Sequence, residues 1–226
     1  MRKIFLFFIL SGMVFAQPSI KERIESKILK EYSFEDLKIK ISNTLPFIVE
    51  KRGKELFSGC YWGGQGCIKE NGKTKHTFEG WQFSDLKGKV KGEIISETPL
   101  TIKIDTREEA KKQKEPVGFY EEITFVGKTI RAKYEFEINK ETKYGVRIYI
   151  GFHFNPEILN KGVNPFIDNE KAIYDTKLGP VVISYKNFSP DRYCWILWKH
   201  FRVFASFPDG FKKGEIRKGE LTISLP

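Results

Sequence analysis

The chain has 226 residues, a formal net charge of +10, and 40% hydrophobic and 15% aromatic residues. This apolar content is sufficient for a substantial core, in one large β-domain or in two small ones. Acidic residues are interspersed with the basic ones along almost the whole sequence. A nucleic-acid-binding protein would concentrate its positive charge on one face or helix, so the pattern argues against that class.

Residues 1–16 have the pattern of a secretory signal peptide. Arg2 and Lys3 precede an apolar run at 4–10, and we expect cleavage after Ala16. The apolar stretch is about a dozen residues long, shorter than the roughly 20 that a membrane span needs. We therefore predict a periplasmic or secreted protein without a transmembrane segment after cleavage. An uncleaved N-terminal anchor is the alternative.

Residues 17–32 predict a short amphipathic helix. Ser19 and Glu22 have the spacing of a capping box. Isoleucines recur every four residues from Ile20 to Ile28, which gives one apolar stripe. We expect this helix to lie against the following domain or to separate it from the signal peptide.

From residue 33 onward the hydrophobic period is two, as in half-exposed antiparallel strands. The strands predicted from alternation and turn signals are 37–41, 47–51, 78–83, 100–104, 119–126, 130–138, 145–154, 181–185, 193–207 and 220–225. About ten strands at this spacing indicate an all-β protein, an antiparallel β-sandwich forming a single domain over residues 33–226. The charge-dense stretch 107–116 is predicted to be a flexible insert or a short helix.

The cysteines are few. Cys60 and Cys67 bracket the sequence YWGGQG, whose three glycines allow a tight loop. Because disulfides persist in exported proteins, a Cys60–Cys67 disulfide is one expectation. Free thiols, or a bond to Cys194, are the alternatives. The three histidines are scattered and no second close cysteine pair occurs, so neither a metal site nor a cofactor is predicted.

The glycine-rich segment between the two cysteines is also a candidate ligand surface. Tyr61 and Trp62 lie among glycines there, and flat rings held outward can pack against the apolar faces of sugars. Trp81 is a further candidate, with Gln82 and Asp85 as hydrogen-bonding neighbours. Large aromatic residues are more often part of the core, which is the competing interpretation.

The closing part of the chain resembles a known family. Trp198, the stretch 203–211 containing Gly210-Phe211, and the apolar strand 221–225 are similar, in that order, to the end of a domain in glycoside hydrolase family 57. This is the C-terminal galactose-mutarotase-like β-sandwich of its α-amylases and 4-α-glucanotransferases. Upstream, KYGVRIYIGFHFNPEIL is similar to another strand of that domain, so the resemblance covers most of residues 33–226.

The resemblance implies a galactose-mutarotase-like supersandwich and a function related to α-glucans such as starch or glycogen. In that family the catalytic carboxylates belong to an N-terminal barrel that this chain lacks. The resemblance therefore implies a non-catalytic carbohydrate-binding or accessory protein, with Trp198 as another candidate contact and a separate chain as catalytic partner. Abundant Lys and Glu with only four Gln also suit a thermophile.

Two other functions remain open at this point. GFHFNPE around His153 resembles the histidine segment of mutarotases, which open and close sugar rings with a histidine acid and a glutamate base. Alternation along a strand would place His153 on one face with Arg147 and Tyr149, but no glutamate can be paired with it. A mutarotase-like or other carbohydrate-active enzyme is therefore the alternative prediction for this chain. A structural envelope protein that binds no sugar is the third possibility.

Overall fold

The computed structural model describes residues 27–70, 73–78, 90–141, 145–161, 164–191, 200–207, 210 and 212–226. Within these ranges the chain forms two eight-stranded sheets, in which neighbouring strands are antiparallel. The buried faces of both sheets contribute to one hydrophobic cluster. The predicted all-β antiparallel sandwich is therefore confirmed.

The first sheet, sheet A, is formed by the first five strands of the chain together with three later strands. Its strands are β1 (Ile28–Phe34), β2 (Leu37–Ser42), β3 (Phe47–Lys51), β4 (Lys54–Glu70), β5 (Lys73–Phe78), β10 (Gly145–Phe154), β14 (Ser189–Asp191) and β15 (His200–Phe207). The order across the sheet is β1-β2-β3-β4-β10-β15-β14, and β5 pairs with β4. The three strands β4, β10 and β15 thus lie side by side near the middle of sheet A.

The second sheet, sheet B, is formed mainly by the middle of the chain. Its strands are β6 (Glu93–Glu97), β7 (Leu100–Asp105), β8 (Val117–Val126), β9 (Thr129–Ile138), β11 (Phe166–Ile167), β12 (Lys171–Tyr174), β13 (Val181–Lys186) and β16 (Ile216–Ser224). Their order is β11-β12-β13-β16-β9-β8-β7-β6. The helix α1 (Arg107–Lys112) connects β7 to β8 and packs against β8.

Aromatic rings join the two sheets through the core. Phe201 of sheet A lies 6.1 Å from Phe152 on the neighbouring strand, measured between ring centroids. On its other side Phe201 lies 5.6 Å from Tyr174 and 5.9 Å from Tyr185, both of sheet B. Burying each such ring stabilises the fold by about 1.5–3 kcal/mol through the hydrophobic effect.

The outer face of sheet B carries a ladder of alternating charges, which we call the charge ladder. One row of cross-strand neighbours runs across six strands in the order Glu93, Lys103, Glu122, Lys133, Glu220 and Lys186. Opposite charges placed directly across from each other stabilise antiparallel pairs by a few tenths of a kcal/mol to about 1 kcal/mol. This face is therefore explained as a solvated surface that stabilises the sheet.

Most predicted strands are present, and two of them, 47–51 and 145–154, coincide with β3 and β10. The short-helix interpretation of 107–116 is confirmed by α1. Strand β4 and all of β5 except its last residue were not predicted, nor were the short strands β6, β11, β12 and β14. Part of two predicted strands, at 79–83 and 193–199, lies outside the described residues.

The predicted N-terminal helix is wrong from Ile28 onward, because Ile28–Phe34 forms strand β1. This segment pairs along β2, and the Tyr32 ring packs against Phe125 of sheet B with centroids 5.6 Å apart. Tertiary pairing at the sheet edge overrides the weak helical preference of a short segment. Residues 1–26, with the predicted signal peptide and helix start, lie outside the described residues.

Within the described ranges, no helix combines the length and the apolar character that crossing a membrane would need.

Candidate functional site

The candidate site lies on the outer face of sheet A, where β4, β10 and β15 are neighbours. Along β10, Ile148, Ile150 and Phe152 are buried in the core between the sheets. Because side chains alternate along a strand, Tyr149 and His153 lie on the opposite face. The sequence prediction that His153 shares a face with Tyr149 fits this alternation.

The pairing of β10 with β15 adds Arg202 and Phe204 to this face. Tyr149 lies opposite Phe204, Gly151 opposite Arg202, and His153 opposite His200. Directly opposed residues of antiparallel strands are close neighbours on one face. We call the described set Tyr149, Gly151, His153, Arg202 and Phe204 the outer-face cluster.

An arginine and two aromatic rings contact each other in the outer-face cluster. The guanidinium carbon of Arg202 lies 4.4 Å from the centroid of the Tyr149 ring, a cation–π contact. The Phe204 ring meets Tyr149 edge-on at 87°, with centroids 6.4 Å apart. Arg202 is half-buried, while Tyr149 is only 8% exposed. The guanidinium is therefore held in place on the sheet instead of extending into solvent.

This part of the outer face is enclosed. Ile48 of β3 is 0% exposed and Ser58 of β4 is 3% exposed, and the register places Ile48 opposite Ser58 and Ser58 opposite His153. Ile48, Tyr149 and Phe204 are all buried without belonging to the hydrophobic cluster between the sheets. Half-buried His153 thus shares a cross-strand row with the buried residues Ile48 and Ser58, whereas Tyr149 and Phe204 lie opposite each other four positions away along the strands.

A groove of about 380 Å³ lies on the outer face of sheet B. It is lined by Lys186 and Glu220 of the charge ladder and by the hydroxyl residues Ser184 and Thr222. These residues are cross-strand neighbours within the ladder and the row beside it. Pairing between the strands of sheet B explains this arrangement of charged and hydroxyl side chains. We therefore place the candidate site on sheet A and not in this groove.

The glycine-rich segment predicted to be a loop is part of strand β4, which runs unbroken for 17 residues. Tyr61 lies opposite Gly151 and therefore next to the outer-face cluster, whereas Trp62 lies opposite the core residue Ile150. The segment is extended because it pairs with β10 along most of its length. The candidates Trp81, Gln82, Asp85 and Trp198 lie outside the described residues.

The predicted Cys60–Cys67 disulfide conflicts with the unbroken strand. A strand rises about 3.3 Å per residue, so Cα atoms seven positions apart are separated by about 23 Å. A disulfide requires a Cα separation of about 4.4–6.8 Å. With both cysteines in β4, a bond between them is incompatible with this strand. The alternative partner Cys194 lies outside the described residues.

Arg202, Phe204 and His200 belong to no sequence motif that indicates a function. The sequence nevertheless has a period of two here, because these residues alternate with the buried residues Phe201 and Val203 along β15. What the sequence lacked was the register that aligns β15 with β10. Among the described residues, no group of three or more metal-ligating side chains comes together.

Neither the family models nor the curated proteins searched gave a match to this chain. Similar solved structures exist. An α-mannosidase from Enterococcus faecalis V583 aligns with a TM-score of 0.54 and 12% identity, covering 86% of this chain and 29% of the mannosidase. The Slr1438 protein from Synechocystis sp. PCC 6803 aligns with a TM-score of 0.50 and 8% identity, covering 86% of this chain and 95% of its own.

A galactose mutarotase related enzyme from Lactobacillus acidophilus aligns at a TM-score of 0.43 and 11% identity, covering 87% of this chain and 97% of its own. This chain spans less than a third of the mannosidase's length. At such low identity, similarity establishes the fold and not the activity. The chain is thus an antiparallel β-sandwich, a fold that it shares with part of the α-mannosidase and with the Slr1438 protein.

Proposed function

We propose that this protein binds a carbohydrate on the outer face of sheet A. The observation that carries the proposal is the outer-face cluster, in which a half-buried arginine, a half-buried histidine and two aromatic rings surround Gly151. Sugars present both hydroxyl groups and apolar C–H surfaces, so their binding sites combine fixed hydrogen-bonding groups with aromatic rings. The cluster supplies both kinds of group on one rigid face.

The chemistry of the individual residues supports this ligand class. The Arg202 guanidinium has five N–H donors in a fixed geometry, which suits adjacent sugar hydroxyls. Tyr61 occupies the register position opposite Gly151. We propose it as an additional contact.

The substrate class that we favour is an α-glucan, bound without cleavage. The support is the resemblance of the closing segment to the C-terminal domain of family 57 enzymes, together with the sandwich fold that this chain shares with a mannosidase. In this proposal the protein is an accessory to a separate catalytic chain. Trp62, Trp81, Gln82, Asp85 and Trp198 remain proposed contacts.

The first experiment is affinity electrophoresis in gels containing glycogen, amylopectin, a β-glucan or no polymer. We expect retardation by the α-glucans, and we expect Arg202→Gln to weaken it by about ten-fold or more, because a lost charged hydrogen bond costs about 1.5–3 kcal/mol. Arg107→Gln is the matched control, because Arg107 lies over Tyr120 at 5.3 Å on sheet B. Equal loss in both variants, or no retardation of the wild type in any gel, would contradict the proposal.

The aromatic candidates are tested in the same gels. Alanine at Trp62 or Trp81 is expected to weaken retardation while leaving the melting temperature nearly unchanged. A large loss of melting temperature would instead assign the substituted tryptophan to the core. That outcome is of special interest for Trp62, whose strand position lies opposite Ile150.

Mutarotase-like catalysis is the second candidate, favoured by one observation. His153 is half-buried and lies on the same face of sheet A as Arg202. A positioned histidine can act as general acid on a ring oxygen. Polarimetry of freshly dissolved glucose and galactose tests this directly. Acceleration that is lost in His153→Ala supports catalysis, whereas wild-type rates equal to those in buffer rule it out.

Export to the periplasm or medium is part of the proposal. Its support is the charged and apolar pattern before Ala16. Mass spectrometry of the protein recovered from a secreting host should show a new N-terminus at Gln17. Recovery of only the uncleaved chain in the cytoplasm would contradict export.

The third possibility is a structural envelope protein. Binding to a partner protein, together with the absence of any sugar affinity, would favour it.

A further inference from the structure

Strand pairing explains which residues are neighbours in the groove on sheet B, but it leaves their charges unpaired. Elsewhere in the charge ladder, the ammonium group of Lys103 forms an ion pair with Glu93 at 3.5 Å. In the groove, Lys186 lies directly opposite Glu220, yet neither forms an ion pair with any residue that the structure describes. Lys171 also lines the groove and likewise has no carboxylate partner among the described residues. The two ammonium groups of the groove are therefore available to a ligand.

Two hydroxyl groups lie between these charged side chains. Ser184 of β13 is directly opposite Thr222 of β16, and Lys171 of β12 is directly opposite Ser184. Both hydroxyl residues are half-buried, and within the described part of the chain neither hydroxyl makes a hydrogen bond. A hydroxyl group can both donate and accept a hydrogen bond. The groove thus presents donors and acceptors whose positions the paired strands fix.

An apolar row borders the groove on the same face of sheet B. Ile173 lies opposite Phe166 of β11 on one side and opposite Val182 of β13 on the other. Because Ala172 is buried in the core, alternation places Ile173 and its two partners on the outer face. Phe166 is 55% exposed and is the diagonal neighbour of Lys171, at a separation of about 7–8 Å. A flat apolar ring is therefore presented to solvent beside a cationic group.

We propose that this groove binds a saccharide that carries a carboxylate group. The ammonium groups of Lys171 and Lys186 donate to the carboxylate, and Glu220 accepts hydrogen bonds from sugar hydroxyls. The Phe166 ring packs against an apolar face of the sugar. The groove volume of about 380 Å³ lies within the range of about 300–1,000 Å³ that ligand pockets have. This site lies on a different sheet from the outer-face cluster and does not depend on the proposal made for that cluster.

The balance of charge around the groove favours a ligand with one negative charge. Two lysines and two glutamates line it, and Arg131 of β9, opposite Thr222, adds a third cation at its border. Three cations thus face two carboxylates, and a single carboxylate on the ligand balances them. A phosphate monoester, with a charge of about −1.5 to −2, would be repelled more strongly by the two glutamates. A neutral sugar would leave both ammonium groups without a partner.

The experiment is isothermal titration of the purified protein with tetragalacturonate and, in parallel, with its methyl ester. We expect one tetragalacturonate per chain, bound less tightly as ionic strength is raised. The ester keeps the rings and removes the charge, so it should bind at least about ten-fold more weakly. Lys171→Gln and Lys186→Gln should each weaken binding of the acid by about ten-fold, because each removes a charge-assisted hydrogen bond. Phe166→Ala should weaken it as well, through loss of the packing surface.

Lys103→Gln is the matched control, because Lys103 belongs to the same charge ladder but lies on β7, three strands away from β16. It should retain wild-type affinity, as should Arg202→Gln on sheet A. Conversely, Lys171→Gln should be retarded by glycogen as strongly as the wild type, so the two proposed sites are measured separately. Lys171 and Lys186 are exposed, and we expect both glutamine variants to keep the wild-type melting temperature.

Four results would overturn the proposal: no binding of tetragalacturonate by the wild type, equal affinity for acid and ester, unchanged affinity in both lysine variants, or an equal loss in Lys103→Gln. The last result would show attraction by the overall positive charge and not by the groove. If a glutamine variant is destabilised, the titration is repeated with Lys171→Arg or Lys186→Arg. These variants keep the positive charge and should retain most of the affinity.

Discussion

Glu121 provides the sharpest quantitative test of the fold. Its side chain points into the core from β8, where it is 0% exposed. Its cross-strand neighbours are Ile104 on β7 and Tyr134 on β9. Burial raises the pKa of the Glu121 carboxyl to about 8, and the neighbouring Tyr134 hydroxyl opposes this pKa shift only in part. At neutral pH this carboxyl is therefore mainly protonated in the folded protein.

The raised pKa makes stability fall as pH rises. Between the ordinary pKa of 4.5 and the folded value of about 8, the folded chain retains a proton that the unfolded chain has released. In this window the free energy of unfolding decreases by about 1.4 kcal/mol per pH unit. The stabilisation is fully present below the unfolded pKa and is lost as pH rises through the folded pKa. Over the whole window the loss is on the order of 5 kcal/mol.

Replacing Glu121 by Gln removes the titration and keeps the shape of the side chain. We expect Glu121→Gln to be more stable than the wild type at pH 8.5, and the difference between them to shrink towards pH 5. The free energy of unfolding is measured from urea denaturation at half-unit pH intervals between 5 and 8.5.

Glu122→Gln is the matched control, since Glu122 is the next residue on β8 but faces outward into the charge ladder. Its pH profile should run parallel to that of the wild type. A wild-type profile that coincides with that of Glu121→Gln over the whole range would refute the reasoning. Tyr134→Phe removes the opposing hydroxyl and should move the wild-type transition to higher pH.

Three further predictions concern packing and surface charge. Gly59→Ala should lower the free energy of unfolding by about 1–3 kcal/mol, because the added Cβ would overlap the Phe152 ring, and urea denaturation measures the loss. Phe201→Ala should cost about 3–5 kcal/mol in the same assay, because this ring joins the two sheets; a loss below 1 kcal/mol would contradict that role. A double-mutant cycle at Lys133 and Glu122, whose charged atoms are 3.9 Å apart, should give a coupling below about 1 kcal/mol that shrinks in high salt. A larger, salt-independent coupling would show that the ladder is more than a solvated surface.

Sequence periodicity by itself determined the fold class of this protein. Alternation of apolar and polar residues predicts β2 and β9 to within one residue of their bounds, because burial of one sheet face imposes a period of two on any half-exposed strand. The same alternation correctly separates Tyr149 and His153 from the core residues of β10. These features depend on neighbours along the chain, which the sequence displays directly.

Only the tertiary structure decided which strands lie side by side. The glycine-rich segment around Tyr61 favours a loop when considered locally, yet pairing with β10 extends it as part of β4. Residues 28–32 fit a helical stripe, yet pairing with β2 makes them a strand. Likewise, His153 meets His200 only through the register of β10 and β15. Hydrogen bonds between distant strands supply free energy that outweighs weak local preferences, and a single sequence does not encode their register in any local pattern.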